Sequence, residues 1–289
     1  MLRTPLSDLF GLEVPVIQAG MSIFTSPRLA AAVSNSGGLG SLGAWRRPAD
    51  QLRRDLDELR GATARPFAVN HVVLDLDPAG FEFTLEAAPA VVSFALDDAG
   101  ALMERVHQAG SLVMQQVTTV RQARVAVDHG ADIIVAQGGE AGGYAGNVAS
   151  LPLIPQVVDA VRPVPVVAAG GIADGRGLAA AIVLGAAGAN LGTRFLASVE
   201  APIEEEWKRA IVESPSEAWT QLLLEVEGEP DPQTSGYETR LRMLKTLSEE
   251  GGFAGGQSAG LIHDIPHAGD IVRTIGAEAE RILAAARGR

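Results

Sequence analysis

Short apolar runs alternate with helix-forming segments along this chain, and the alternation recurs eight times at intervals of roughly 20 to 30 residues. A strand, a crossover helix and a parallel strand are what this spacing builds. Eight such units, rather than five or six, predict an α/β fold closed into a (β/α)8 TIM barrel. The strands are expected at residues 15–21, 39–44, 67–73, 90–96, 112–117, 133–136, 164–169 and 189–195. Ser26 can cap a helix with Pro27 in its first position, where the missing N–H is not needed. Further helices are expected at 48–60, 78–88, 97–109, 120–129 and 178–184. Beyond the eighth strand, 202–213, 237–250 and 268–287 read as helices. Residues 225–235 read as an acidic exposed loop, and 251–262 as a glycine-rich piece. The expectation is one barrel domain over 1–289, with 200–289 as a helical addition around it.

The seventh strand runs into Gly170-Gly171-Ile172, and the eighth into Gly192-Thr193-Arg194-Phe195. Glycines just past strand ends turn with positive φ and let a ligand approach the backbone. Backbone N–H groups gathered there form an anion site without a basic side chain. The loops after strands 7 and 8 are where barrels commonly hold a phosphate. No G-x-G-x-x-G follows a strand, so one phosphate is expected and not a pyrophosphate. A second glycine-rich stretch, AQGGEAGGYAG at 136–146, leaves the sixth strand on the face where barrel active sites lie. Its side chains with polar reach are Gln137, Glu140 and Tyr144.

Composition removes several chemistries. With no cysteine there is no disulfide, thiol nucleophile or thiolate metal site. A net charge of −12 argues against nucleic acid and anionic membrane as partners. Neither a signal-type apolar core near the N-terminus nor an apolar run of membrane-spanning length occurs, so a cytoplasmic protein is expected. The two lysines, Lys208 and Lys245, both follow the last barrel strand, which removes Schiff-base chemistry on a strand. No histidine and carboxylate set has metal-ligand spacing, and no metal is expected. His107 and His129 fall on outer helices. Asn70 and His71 are neighbours on one strand, so only one can face the barrel axis. His263 and His267 could reach the rim of the site.

PVIQAGM, SGGLGSLGA, VVSF, AQGGEAGGYAG, PVVAAGGIADGRG, GTRF and GGQSAGLI occur in this order between Pro15 and Ile262. In this the chain resembles the nitronate monooxygenase family, formerly called 2-nitropropane dioxygenases, which includes FMN-dependent enoyl thioester and quinone reductases. The resemblance implies an FMN-binding barrel. It also implies that Gly20 and Met21 present backbone to the isoalloxazine ring, that Asn70 bonds the ring's polar edge, and that Gln137 does likewise or contacts the ribityl chain. Gly142 would lie against the cofactor, while Gly171 and the run Asn190, Leu191, Gly192 and Thr193 would hold the phosphate. Most relatives carry a histidine where Tyr144 stands, and Ala95 and Leu96 follow Phe94 where a second histidine is common. A phenol with an ordinary pKa of about 10 is a hydrogen-bond donor and a poor base at neutral pH. The family reaction oxidises alkyl nitronates with O2 to a carbonyl compound and nitrite. The alternatives are an NAD(P)H-dependent FMN reductase of enoyl thioesters or quinones and a flavin-binding protein that has lost catalysis. An inosine-phosphate-type dehydrogenase would need a cysteine. A small-molecule substrate is expected in every case, with O2 or NAD(P)H as co-reactant, and a homo-oligomer is open.

Overall fold

The computed structural model describes residues 2–223, 242–245 and 253–287. The strands follow in the order β1 (Val16–Gln18), β2 (Gly40–Gly43), β3 (Phe67–Val72), β4 (Val91–Ala95), β5 (Leu112–Val117), β6 (Ile133–Gln137), β7 (Gly143–Ala145), β8 (Val166–Ala169) and β9 (Gly188–Leu191). Leaving out β7, they form one parallel sheet in the order β1-β9-β8-β6-β5-β4-β3-β2. Ile17 bridges Leu39 just ahead of β2 and closes the ring. Gln18 N donates to Leu39 O and Leu39 N to Val16 O, each at 2.9 Å. This is the expected TIM barrel.

Helices α1 (Pro5–Phe10), α2 (Pro27–Asn35), α3 (Ala49–Ala62), α4 (Pro78–Ala87), α5 (Leu102–Gln108), α6 (Val120–Asp128), α7 (Ser150–Val161), α8 (Gly175–Val183), α9 (Thr193–Leu196), α10 (Glu205–Glu213) and α11 (Ala268–Arg287) complete the barrel layer and its additions. Their starts follow cap chemistry. Ser26 Oγ accepts from Leu29 N at 3.1 Å ahead of α2, and Asp174 Oδ1 accepts from Arg176 N at 2.9 Å ahead of α8. Outward-facing strand residues such as Val92, Phe94, Ile134 and Val166 pack with Met103, Leu153, Val157 and Leu178 of the helices. Inside the barrel, Ile17, Leu39, Met114, Ile133 and Val167 pack with Leu6 and Leu12, so α1 and the turn after it fill one end. A closed bottom leaves the carboxyl ends of the strands as the open face.

Several expectations are corrected. The eighth strand ends at Leu191, not Phe195: Phe195 N and Leu196 N both return to Gly192 O, at 2.9 and 3.1 Å, so GTRF turns into α9. α7 is not among the expected helices, and Pro155 lies inside it. Burial of Leu153, Ile154, Val157, Val158 and Val161 carries that helix through Pro155. α5 begins at Leu102 instead of residue 97. The addition after the eighth strand is not wholly helical. β10 (Thr220–Leu223) pairs antiparallel with β11 (Arg242–Lys245), which pairs in turn with β7. β11 falls inside the expected 237–250 helix; non-local pairing has overridden local preference there. The expected loop at 225–235 lies outside the described residues. Among the described residues no helix is long and apolar enough to cross a membrane.

Candidate active site

The open face holds a cavity of about 410 Å³, within the range of small-molecule sites. Gly20, Met21, Asn70, Gln137, Gly142, Gly171, Asn190, Gly192 and Thr193 all line it, together with Tyr144. Leu191 does not: its side chain is buried in the core between strands and helices. Tyr144 sits on β7, paired with Met243 of β11, and so belongs to a short strand rather than a free loop.

Each wall has a local cause. Gly20 ends the segment after β1, and a β-carbon on it would lie 2.2 Å from the Asn70 β-carbon. Glycine is what lets Asn70 occupy the floor. Asn70 Nδ2 donates to Ser93 Oγ at 3.1 Å on the adjacent β4, which fixes the amide's orientation. Gln137 Oε1 accepts from Gln116 Nε2 at 2.8 Å across β5 and β6. Among the described residues the Gln137 amide N–H has no protein acceptor. Gly170 and Gly171 have φ of 98° and 72°, a left-handed pair that side chains resist. Their loop is braced from behind. The Glu140 carboxylate accepts from Ser150 N and Ser150 Oγ, each at 2.9 Å, and Ser150 Oγ lies 3.0 Å from Gly170 O.

Asn190 Oδ1 is buried and has no hydrogen-bond partner among the described residues. A buried carbonyl oxygen left so costs about 1–3 kcal/mol, and this one lies at the cavity wall. Next to it, a β-carbon on Gly192 would find nothing nearer than Met21 Sδ at 3.4 Å. That side of Gly192 is therefore open cavity. Thr193 Oγ1 accepts from Gly256 N at 2.9 Å, which brings Ala254, Gly255 and Ser258 of the glycine-rich tail onto the wall. Arg194 holds the same tail from below, donating to Asp264 Oδ1 at 2.8 Å and Asp264 O at 2.7 Å. Burial lowers its guanidinium pKa against the pull of Asp264.

The electrostatics of the cavity are sparse. Among the described residues, its titratable lining side chains are Arg46 and Tyr144. His71 is on the far side of β3, 3% exposed, with Nε2 2.9 Å from Thr84 Oγ1 on α4 and its ring edge-on to Phe81. Desolvation lowers its pKa to about 4, with Asp77 pulling weakly the other way. Strand alternation thus turns Asn70 inward and His71 under the helices. His107 and His129 pair with Asp132 and Asp98 on the surface. His267 is paired with Glu200 at 2.9 Å, and neither it nor His263 lines the cavity.

A sequence model of the nitronate monooxygenases matches residues 3–232. The chain belongs to the nitronate monooxygenase family. It is similar to the (3aS,4S,5R,7aS)-5-hydroxy-7a-methyl-1-oxo-octahydro-1H-indene-4-carboxyl-CoA dehydrogenase of Mycobacterium tuberculosis, 37% identical over 276 residues, 94% of this chain and 74% of that protein. A probable nitronate monooxygenase of Staphylococcus aureus is 34% identical over 260 residues, 73% of each chain. Among solved structures, FabK from Thermotoga maritima superposes with a TM-score of 0.89 at 31% identity, covering 100% of this chain and 99% of that one. The nitroalkane oxidase of Streptomyces ansochromogenes superposes with a TM-score of 0.83 at 27% identity, covering 97% and 99%. This family member is accordingly an oxidoreductase, and a flavin is its class of cofactor.

Sequence reasoning missed part of the family member's site. Gln116 is visible only once β5 lies beside β6. Phe24 and Trp207 face each other edge to face at 4.8 Å, from segments far apart in sequence. Trp45 stands edge-on to Tyr144 at 6.3 Å. Of the non-glycine residues with left-handed φ, Ser22 (55°), Arg46 (59°) and Leu96 (59°) all line the cavity. Such conformations gather at functional sites and leave no mark in a sequence.

Proposed function

We propose that this protein is an FMN-dependent oxidoreductase acting on a carbonyl-conjugated double bond, such as that of an unsaturated acyl thioester. The observation that carries the reading is the cavity's lack of a base: among the described residues Tyr144 is its sole titratable lining group apart from Arg46. Chemistry that needs a proton delivered suits a phenol, whereas abstraction from a neutral carbon acid does not.

The residues fit the cofactor. The left-handed Gly170–Gly171 pair and the open side of Gly192 offer backbone to one phosphate. Gly20, Met21, Asn70, Gln137 and Gly142 would meet the ring and ribityl chain. The Asn190 carbonyl oxygen would gain a donor that it lacks among the described residues. When bound, the flavin supplies hydride or two-electron transfer. The protein's part is to hold the substrate carbonyl near Tyr144 Oη and to deliver the phenolic proton to the substrate as its double bond is reduced. Solvent then returns that proton. Trp45 and Leu96 around Tyr144 keep the position apolar, and Phe24 with Trp207 limits water from the other side.

The relative named as a carboxyl-CoA dehydrogenase, itself a thioester enzyme by name, supports the substrate class. A second reading, oxidation of preformed alkyl nitronates with O2, is favoured by the family and by Arg46, which would attract an anion that needs no base. Anaerobic stopped-flow absorbance separates them. NADPH should bleach the flavin and an enoyl-CoA such as crotonyl-CoA should restore it, both faster than ethylnitronate bleaches it. Rapid bleaching by ethylnitronate with no response to NADPH or crotonyl-CoA would overturn the first reading in favour of the second.

A further inference from the structure

Arg46 has a conformation and a setting that barrel packing does not explain. Its φ of 59° is left-handed, which costs an arginine about 1–2 kcal/mol. The strain is held from both sides. Ser22 Oγ donates to Trp45 O at 2.8 Å, and Arg47 N donates to Ala44 O at 3.0 Å across the turn. The result lays the Arg46 guanidinium over the Trp45 ring, with Cζ 4.4 Å from the ring centre. The ring is itself fixed, since Trp45 Nε1 donates to Asp75 Oδ2 at 2.8 Å and the ring edge meets Tyr144.

The next arginine shows what a structural arginine looks like here. The Arg47 side chain is buried, ion-paired with Asp55, and bonded to Gly43 O at 2.9 Å and Thr25 O at 2.8 Å. Arg46 is exposed, and among the described residues its guanidinium has no hydrogen-bond or ion-pair partner. It is also the cavity's one cationic lining side chain among those residues. In a chain of net charge −12 an anionic ligand approaches against the protein's field. A lone stacked guanidinium at the mouth is where such a ligand finds a donor fork, which suits phosphate oxygens.

We propose that Arg46, stacked on Trp45 at the cavity mouth, recognises a phosphate of a ligand whose reacting end lies beside Tyr144. The inference rests on the reading of this cavity as the flavin site and names a ligand class it takes: a phosphate-bearing carrier or donor, larger than a free nitronate. Arg46 sets specificity and takes no part in the chemistry. The phosphate belongs either to the acyl carrier of a thioester or to a dinucleotide electron donor.

Anaerobic isothermal titration of the flavin-loaded protein, its flavin first reduced with dithionite so that NADPH finds nothing to reduce, with acetyl-CoA, with NADPH and with the phosphate-free S-acetyl-N-acetylcysteamine tests this without turnover. Arg46→Ala should weaken acetyl-CoA or NADPH by at least about tenfold, as loss of a charge-assisted bond does. Arg46→Lys should restore part of it, and the phosphate-free thioester should bind both proteins alike. Loss confined to acetyl-CoA assigns the phosphate to the acyl carrier; loss confined to NADPH assigns it to the donor. Undiminished binding of both by Arg46→Ala, no binding of either by the unmodified protein, or equal losses with the phosphate-free thioester would overturn the proposal. Turnover of crotonyl-CoA is scored separately. Binding through Arg46 without turnover would sink the proposed reaction and leave this assignment standing.

Discussion

Gly192→Val separates the cofactor site from the fold. The backbone at Gly192 has φ −98° and ψ −75°, so a side chain meets no left-handed penalty there. A β-carbon would have Met21 Sδ at 3.4 Å and the Ala19 β-carbon at 3.9 Å as nearest neighbours, both ordinary contacts. The two valine methyls would therefore extend into the cavity, into the space assigned to the phosphate. Native stability should change by no more than about 1 kcal/mol, while FMN affinity should fall at least about tenfold, or about 1.4 kcal/mol. Gly171→Val is a less clean probe. There φ is 72°, so a valine is strained whatever the space and could lose FMN by distorting the loop. The assay is fluorescence titration of apoprotein with FMN, beside urea unfolding of the same apoprotein. Unchanged FMN affinity in a folded Gly192→Val protein would refute the phosphate assignment. An unfolded variant would refute the reading of that space as open.

Tyr144→Phe should slow the proposed reduction by about 10²-fold or more, the usual range for a general acid, while FMN occupancy stays full; unchanged kcat would mean that another group delivers the proton. For the same reason initial rates on nitroethane should fall far below those on ethylnitronate, and equal rates would reveal a base that the cavity lining does not show. His71 makes stability depend on pH. Its folded pKa of about 4 lies below the unfolded value of about 6.5, so its contribution is complete above pH 6.5. As the pH falls toward 4, the unfolded chain takes up a proton that the folded chain refuses, and up to about 3 kcal/mol of stability is lost. Urea unfolding at pH 7 and pH 5 should show a larger loss for the unmodified protein than for His71→Gln, and equal losses would contradict the burial argument.

The barrel was legible because each strand is a short apolar run closed by a glycine or a polar residue, and because cap residues such as Ser26 and Asp174 mark helix starts. The glycine turns after β8 and β9 were legible because a need for left-handed or close-approach backbone shows directly as glycine. What failed was set by distant parts of the chain. α7 survives Pro155 because an apolar face is buried on β6 and β8. β11 is a strand because β7 and β10 flank it. The wall of Trp45, Arg46, Gln116 and Tyr144 carries no local pattern, since its pieces come from separate strand ends that meet only when the ring closes. His71 was assigned its side by strand alternation alone, once Asn70 was given to the cavity.

The glycine-lined cavity is proposed to hold a flavin with a single phosphate. Heat release of the chromophore from the protein as purified, followed by its mass, tests that claim without assuming a substrate. The expected result is FMN, close to one per chain. Recovery of FAD would contradict the single-phosphate reading of Gly171 and Gly192, and a colourless protein that cannot be loaded with FMN would contradict the site itself.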